Sequence, residues 1–123
     1  MSVAYHARVE PRVKLWLEED GKLALSEYRA RLLRHIAETG SLADAAAAMG
    51  LSYRRAWGKV KEIEANLGVK LIESEAGGAG GGGSQLTAEG RRLVELFERM
   101  NSAVESDVRK EFERIFTRSR PSS

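Results

Sequence analysis

The sequence predicts a mainly α-helical domain with a small β component: a winged helix-turn-helix carrying an N-terminal β-hairpin and a long C-terminal dimerisation helix. Three observations predict it. An alanine-rich stretch, Ala45 to Met49, joins a basic stretch, Tyr53-Arg54-Arg55-Ala56-Trp57, through Gly50 and Ser52. A glycine run from Gly77 to Gly83, broken only by Ala79, lies between two short strand-like segments. An apolar stripe at helical spacing then extends from Leu93 to Ile115, longer than a small domain needs for its own core.

The elements follow in chain order. Val13, Leu15 and Leu17 alternate with Lys14, Trp16 and Glu18, and Asp20-Gly21 is a strong turn signal before Leu23 and Leu25, so a β-hairpin is expected within residues 8–25, with Met1 to Ala7 loose. Ser26 suits the N-cap of a helix running to Thr39, with Tyr28, Leu32, Leu33 and Ile36 as its inward stripe and Gly40 as its stop. Ser41 caps the next helix, with Asp44 at the capping-box position, and that helix is expected to close at Gly50. Its small face, Ala45, Ala46 and Met49, allows a second helix to cross closely.

Leu51 follows as a plug able to staple onto Ala56, and Ser52 caps a helix starting at Tyr53 and ending near Gly68. Ala56, Val60, Ile63 and Leu67 share its inner face. Arg54, Gly58, Lys61 and Ala65 form the opposite row, two cations and two very small residues suited to close approach to a polyanion. Val69 to Ser74 and Gln85-Leu86 read as the two strands of a wing. Thr87 caps a last helix over residues 87–117, and Arg118 to Ser123 are expected to fray. The helix-turn-helix with its wing occupies residues 26–86 of what reads as one domain, 1–123.

With 123 residues, 42% hydrophobic and 31% charged, the composition is that of an ordinary soluble globular protein, with no apolar run long enough to span a membrane and no visible secretory signal. The chain has no cysteine, which excludes disulfides and thiolate metal sites and fits a cytoplasmic location. Its formal net charge of +2 says little, but Ser52 to Lys70 hold five cations against two anions, a local footprint for nucleic acid.

The candidate duplex-DNA contacts are Ser41, Ser52, Tyr53, Arg54, Arg55, Gly58, Lys59 and Lys61, with Gly80, Gly81 and Ser84 from the wing. Tyr53 and Arg54 would reach base edges, Arg54 favouring guanine, while Ser52, Arg55, Lys59 and Lys61 would hold phosphates. Trp57, at the flank of the inner face, reads as a packing residue. Leu93, Phe97, Met100, Val104, Val108, Phe112 and Ile115 are the candidate dimer interface. A two-fold dimer would favour an inverted-repeat site; the competing placement packs this stripe on the hairpin.

Other chemistry is weaker. Gly78, Gly80 and Gly83 satisfy a dinucleotide-binding spacing only because a glycine run does so by chance, and Ser84 stands where a phosphate-binding loop would need lysine. His6 and His35 have no partner at ligand spacing, so neither metal binding, catalysis nor a cofactor is expected. The competing class is a winged-helix module that binds a partner protein.

The residues Thr39-Gly-Ser-Leu-Ala-Asp-Ala-Ala46, Met49-Gly-Leu-Ser-Tyr-Arg-Arg-Ala-Trp57, Leu67-Gly-Val-Lys-Leu-Ile-Glu73, the glycine wing and Leu86-Thr-Ala-Glu-Gly90 resemble the N-terminal DNA-binding domain of molybdate-responsive ModE-type regulators. The Lys14 to Lys22 hairpin is similar too, and the resemblance covers roughly Val13 to Met100. LysR-type regulators share several of the same elements. The resemblance implies a homodimeric transcription regulator with the basic helix in the major groove and the wing on flanking DNA. ModE regulators continue into small β-barrel domains that bind molybdate or tungstate, whereas this sequence ends after one helix. The expectation is therefore either a stand-alone DNA-binding member or one whose sensor resides in another polypeptide, with an oxyanion effector not supported by this chain.

Overall fold

The computed structural model describes residues 9–74 and 83–118. Its elements are β1 (Trp16–Glu19), β2 (Lys22–Ser26), α1 (Glu27–Thr39), α2 (Leu42–Ala48), α3 (Tyr53–Leu67), β3 (Ile72–Ser74), β4 (Ser84–Leu86) and α4 (Ala88–Arg118). The described residues form two compact units: Leu15–Glu98, and those up to Lys14 together with those from Arg99.

In the larger unit, β1 and β2 pair antiparallel around the Asp20-Gly21 turn. Both turn residues have positive φ, 51° and 78°, as the tight hairpin turn matching strand twist requires. The register slips between Leu17 and Glu18, whose partners are Leu25 and Leu23. Ala24 is thus the extra residue of a β-bulge. This breaks the expected alternation: Ala24 and Leu25 are both fully buried while Leu23 faces solvent. Nor does the first strand reach back to Val13, which lines a shallow groove of about 200 Å³ in the smaller unit with Glu105, Ser106, Val108 and Arg109.

Each helix of the trio starts on a serine. The Oγ atoms of Ser26, Ser41 and Ser52 accept the main-chain N–H of Arg29, Asp44 and Arg55 at 3.1–3.2 Å, satisfying amides that have no partner within the helix. α1 and α3 end on left-handed Gly40 and Gly68, whose amides bond the carbonyls of Ile36 and Glu64 at 2.8 Å. α2 is shorter than expected, ending at Ala48. Gly50 N–H bonds Ala47 O at 3.1 Å and Leu51 N–H bonds Ala46 O at 2.8 Å, the paired bonds of a Schellman turn.

The core takes Ala30, Leu32, Leu33 and Ile36 from α1, Leu42, Ala45 and Ala46 from α2, and Ala56, Val60 and Ile63 from α3. Leu25, Leu71, Ile72, Leu86, Val94 and Phe97 complete it. Tyr28, expected to point inward, is exposed; Arg29 and Ala30 are buried instead. Arg29 tolerates burial because its guanidinium reaches Leu23 O at 3.2 Å and Glu62 Oε1 at 2.9 Å. Glu62 is held below the ordinary carboxylate range by that hydrogen bond and charge.

β3 and β4 pair antiparallel, Ile72 opposite Leu86 and Ser74 opposite Ser84. Val69 to Leu71 stay outside the strand, where Glu64 takes up the amide of Leu71. The wing root is clamped from two sides: Ser84 N–H bonds Gly40 O, and Thr87 N–H bonds Leu71 O, both at 2.9 Å. Thr87 also caps α4 through the Gly90 amide at 3.0 Å. Gly90 is required here, since a Cβ would stand 2.9 Å from the Leu71 carbonyl oxygen. Phe97 is buried in this unit's core and Leu93 packs against it. Leu93 and Phe97, two of the seven candidate interface residues, are therefore used by the fold of this unit.

The smaller unit holds the remainder of α4. Phe112 is buried there, with the Phe116 ring 4.5 Å away between centroids. Among the described residues no helix is long and apolar enough to cross a membrane.

Candidate nucleic-acid interface

α3 carries the site, and the fold decides which of its side chains remain outside. Ala56, Val60 and Ile63 face the core, so Arg54, Gly58, Lys61 and Ala65 turn away from it and are exposed, as the spacing predicts. Ser52 is exposed but its hydroxyl oxygen is already an acceptor for Arg55 N–H. Tyr53, Arg54 and Arg55 lie exposed on the first turn; Tyr53 has 56% of its surface accessible.

Gly58 is unexpected on grounds of helix stability. A mid-helix glycine costs about 1 kcal/mol relative to alanine, yet a Cβ built at Gly58 meets nothing within 4 Å. The domain has no internal need for the missing methyl group. What its absence provides is bare helix backbone in the middle of a cation-bearing face.

The two lysines differ in placement. Lys61 Nζ stands 3.1 Å from Glu64 Oε1 and 4.4 Å from the centroid of the Trp57 ring, which aligns an exposed ammonium without burying it. Lys59 lies on the other flank, half-buried, with its ammonium 5.4 Å from the Tyr28 ring centroid. Burial pushes the Glu64 carboxyl up, but the amides of Leu71 and Ile72 and the Lys61 ammonium outweigh it and hold it below the ordinary carboxylate range. One carboxylate therefore joins the exposed lysine to the start of the wing.

The remaining candidates are not on this face. Ser41 is the N-cap of α2, in the turn beside Gly40, and half-buried. Ser84 stands at the wing root with its amide bonded to Gly40. Gly80 and Gly81 fall outside the described residues. On α4, Met100 and Ile115 are exposed, Val104 and Val108 half-buried, and Phe112 buried; Leu96, absent from the predicted stripe, is exposed.

Two residues bear on the site that sequence reasoning either read as packing, Trp57, or did not place, Arg29. Trp57 is 40% accessible rather than a packing residue, and its spacing of four residues from both Tyr53 and Lys61 is the signal that could have found it. Arg29 falls on the same helical stripe as Leu32, Leu33 and Ile36, which could have marked it as inward.

The description "Bacterial regulatory helix-turn-helix protein, lysR family" matches residues 29–91. The DNA-binding transcriptional dual regulator ModE of Escherichia coli K12 is 37% identical over 90 residues, covering 73% of this chain and 34% of its own. The molybdenum transport protein ModE of Azotobacter vinelandii is 35% identical over 102 residues, covering 83% of this chain and 38% of its own. The chain thus spans about a third of the length of these relatives. Among solved structures, a CbnR DNA-binding-domain complex with DNA superposes with a TM-score of 0.54 at 25% identity, covering 76% of this chain and 97% of that one. Full-length CbnR with its target DNA gives 0.55 at 28% identity, covering 69% of this chain and 28% of that one.

Proposed function

Because the chain belongs to the LysR family of bacterial regulatory helix-turn-helix proteins, we propose that it is a transcriptional regulator whose helix α3 enters the major groove of duplex DNA. One observation carries this reading: the outward face of α3 combines exposed Arg54 and Lys61 with a glycine whose bare backbone the domain itself does not require. Small residues admit the helix to a groove about 12 Å wide, and the cations meet the phosphates that line it.

Tyr53 and Arg54, on the first turn, take the base edges, Arg54 toward guanine. Arg55 and Lys61 take phosphates, and Ser52 adds its hydroxyl at the helix start. Lys59, turned toward Tyr28, contributes charge at longer range. Gly80, Gly81 and Ser84 take flanking DNA. The relatives whose names describe DNA-binding regulators support this assignment, as does the likeness to structures whose titles name DNA complexes.

The protein acts as a homodimer through the exposed apolar residues of α4, Leu96 and Met100 foremost, and reads an inverted repeat. It works in the cytoplasm, without catalysis.

The test is a salt titration on random duplex DNA followed by selection of bound duplexes from a random pool. A regulator of this kind shows a linear fall of log affinity with log salt, about 0.9 per phosphate contact, and selects a symmetric consensus. Absence of affinity at low salt would overturn the reading in favour of a protein-interaction module.

A further inference from the structure

We propose that Trp57 is a specificity-determining residue that reads A·T base pairs by packing against the C5-methyl group of thymine. This rests on the reading of α3 as the helix in the major groove.

The chemistry of the groove narrows the possibilities. Its base edges present hydrogen-bond donors and acceptors, plus one apolar group, the thymine methyl. A side chain that reads adenine directly is an amide, Asn or Gln. α3 contains no glutamine, and its one asparagine, Asn66, is committed elsewhere: its Nδ2 donates to the Leu23 carbonyl at 2.8 Å. Arg54 suits guanine. An A·T pair presented to this helix thus meets no free amide reader and offers it the thymine methyl, the one apolar group of the groove.

Trp57 supplies that surface. Its indole is 40% accessible although the core is adjacent, while Ala56, Val60 and Ile63 of the same helix are buried completely. It is held in place because Lys61 Nζ sits 4.4 Å from the ring centroid and is itself fixed by Glu64 at 3.1 Å. The lysine covers part of the ring and leaves the remaining accessible surface to a ligand. Gly58, the next residue, has open space where its side chain would be, which lets the helix sit deep enough for a side chain on the flank to come level with the base edges. Charge complementarity points the same way: the indole stands among Arg54, Lys61 and, one turn back, Tyr53, so the occupant is polyanionic with an apolar spot.

The experiment uses the full chain and a duplex that the wild-type protein selects from a random pool, compared with synthetic copies in which each thymine in turn is replaced by deoxyuridine. Deoxyuridine removes only the methyl group. At one position in each half-site, wild-type affinity is expected to fall about fourfold, the weight of one buried methyl. Trp57→Phe retains an apolar ring and keeps most of that sensitivity. Trp57→Gln, whose folding is checked by circular dichroism and thermal unfolding, loses it and binds both duplexes equally. Wild type indifferent to every replacement, or Trp57→Gln as sensitive as wild type, would overturn the assignment while leaving α3 as the DNA-binding helix. Failure to select any duplex would overturn the underlying reading and this one with it.

Discussion

The carboxylate of Glu64 accepts the main-chain N–H of Leu71 at 2.8 Å, fastening α3 to the segment that opens the wing. Only 13% of the Glu64 side chain is accessible, so the bond is shielded from competing water. Helix and wing are thereby coupled through one ionised group.

Glu64→Gln is expected to lower stability at pH 7 by about 1 kcal/mol, the order of a charge-assisted hydrogen bond after allowance for the amide that replaces it. The Glu64 pKa is depressed in the folded protein. Its stabilisation is therefore complete above the ordinary carboxylate value of about 4.3 and is lost as pH falls through the lower folded value. Urea unfolding at neutral pH and again below about pH 4 checks this: the gap between wild type and variant should close in acid.

Gly58→Ala separates folding from binding. The added methyl group meets open space and restores helix propensity, so thermal stability should rise by about 1 kcal/mol, or roughly 4–8 °C. Affinity for the selected duplex should fall, since the methyl stands where the DNA approaches. A variant more stable and equally tight in binding would remove Gly58 from the interface.

Gly90→Ala behaves in the opposite sense. Its Cβ would meet the Leu71 carbonyl oxygen at 2.9 Å, and that carbonyl already accepts the Thr87 amide. An overpacking cost of about 1–3 kcal/mol is expected, measurable as a lower urea midpoint.

Arg54→Ala and Lys61→Ala should fail differently. The first is expected to lose about 1–3 kcal/mol of discrimination at one base pair. Loss of Lys61 should weaken all duplexes alike and reduce the salt slope by about 0.9. Unchanged base preference in Arg54→Ala would reassign the reading residue, and competition with single-position variants of the consensus decides it.

Met100→Glu tests the association of two copies. Met100 is 48% accessible, so the fold should survive, while sedimentation at micromolar concentration should shift from dimer to monomer. A dimer that persists would move the interface away from this part of α4.

Local signals were legible because they act within a few residues. Ser26, Ser41, Ser52 and Thr87 cap the helices they precede, and Gly40 and Gly68 close theirs. What was not legible depended on distant partners. Arg29 falls on the inward stripe of α1, but the partners that let a guanidinium stay there, Glu62 at 33 positions away and the Leu23 carbonyl, lie outside that helix. Tyr28 turned outward as a result. The bulge at Ala24 was hidden because strand periodicity assumes an unbroken register. Trp57 reads as core by residue type, and only Lys61 lying on its ring shows how it rests at the surface. The α4 stripe is continuous in sequence, yet Phe97 is buried in the core while Met100, three residues on, is exposed.

The turn between α2 and α3 is closed by Gly50 and Leu51 amides on the Ala47 and Ala46 carbonyls, with no side-chain group taking part in either bond. The angle at which α3 is presented is thus independent of the residues on its outer face. If α3 reads DNA as proposed, exchanging Tyr53, Arg54 and Trp57 would alter what is read and leave this turn intact, so the domain could be retargeted to new sequences by evolution or by design without rebuilding its frame.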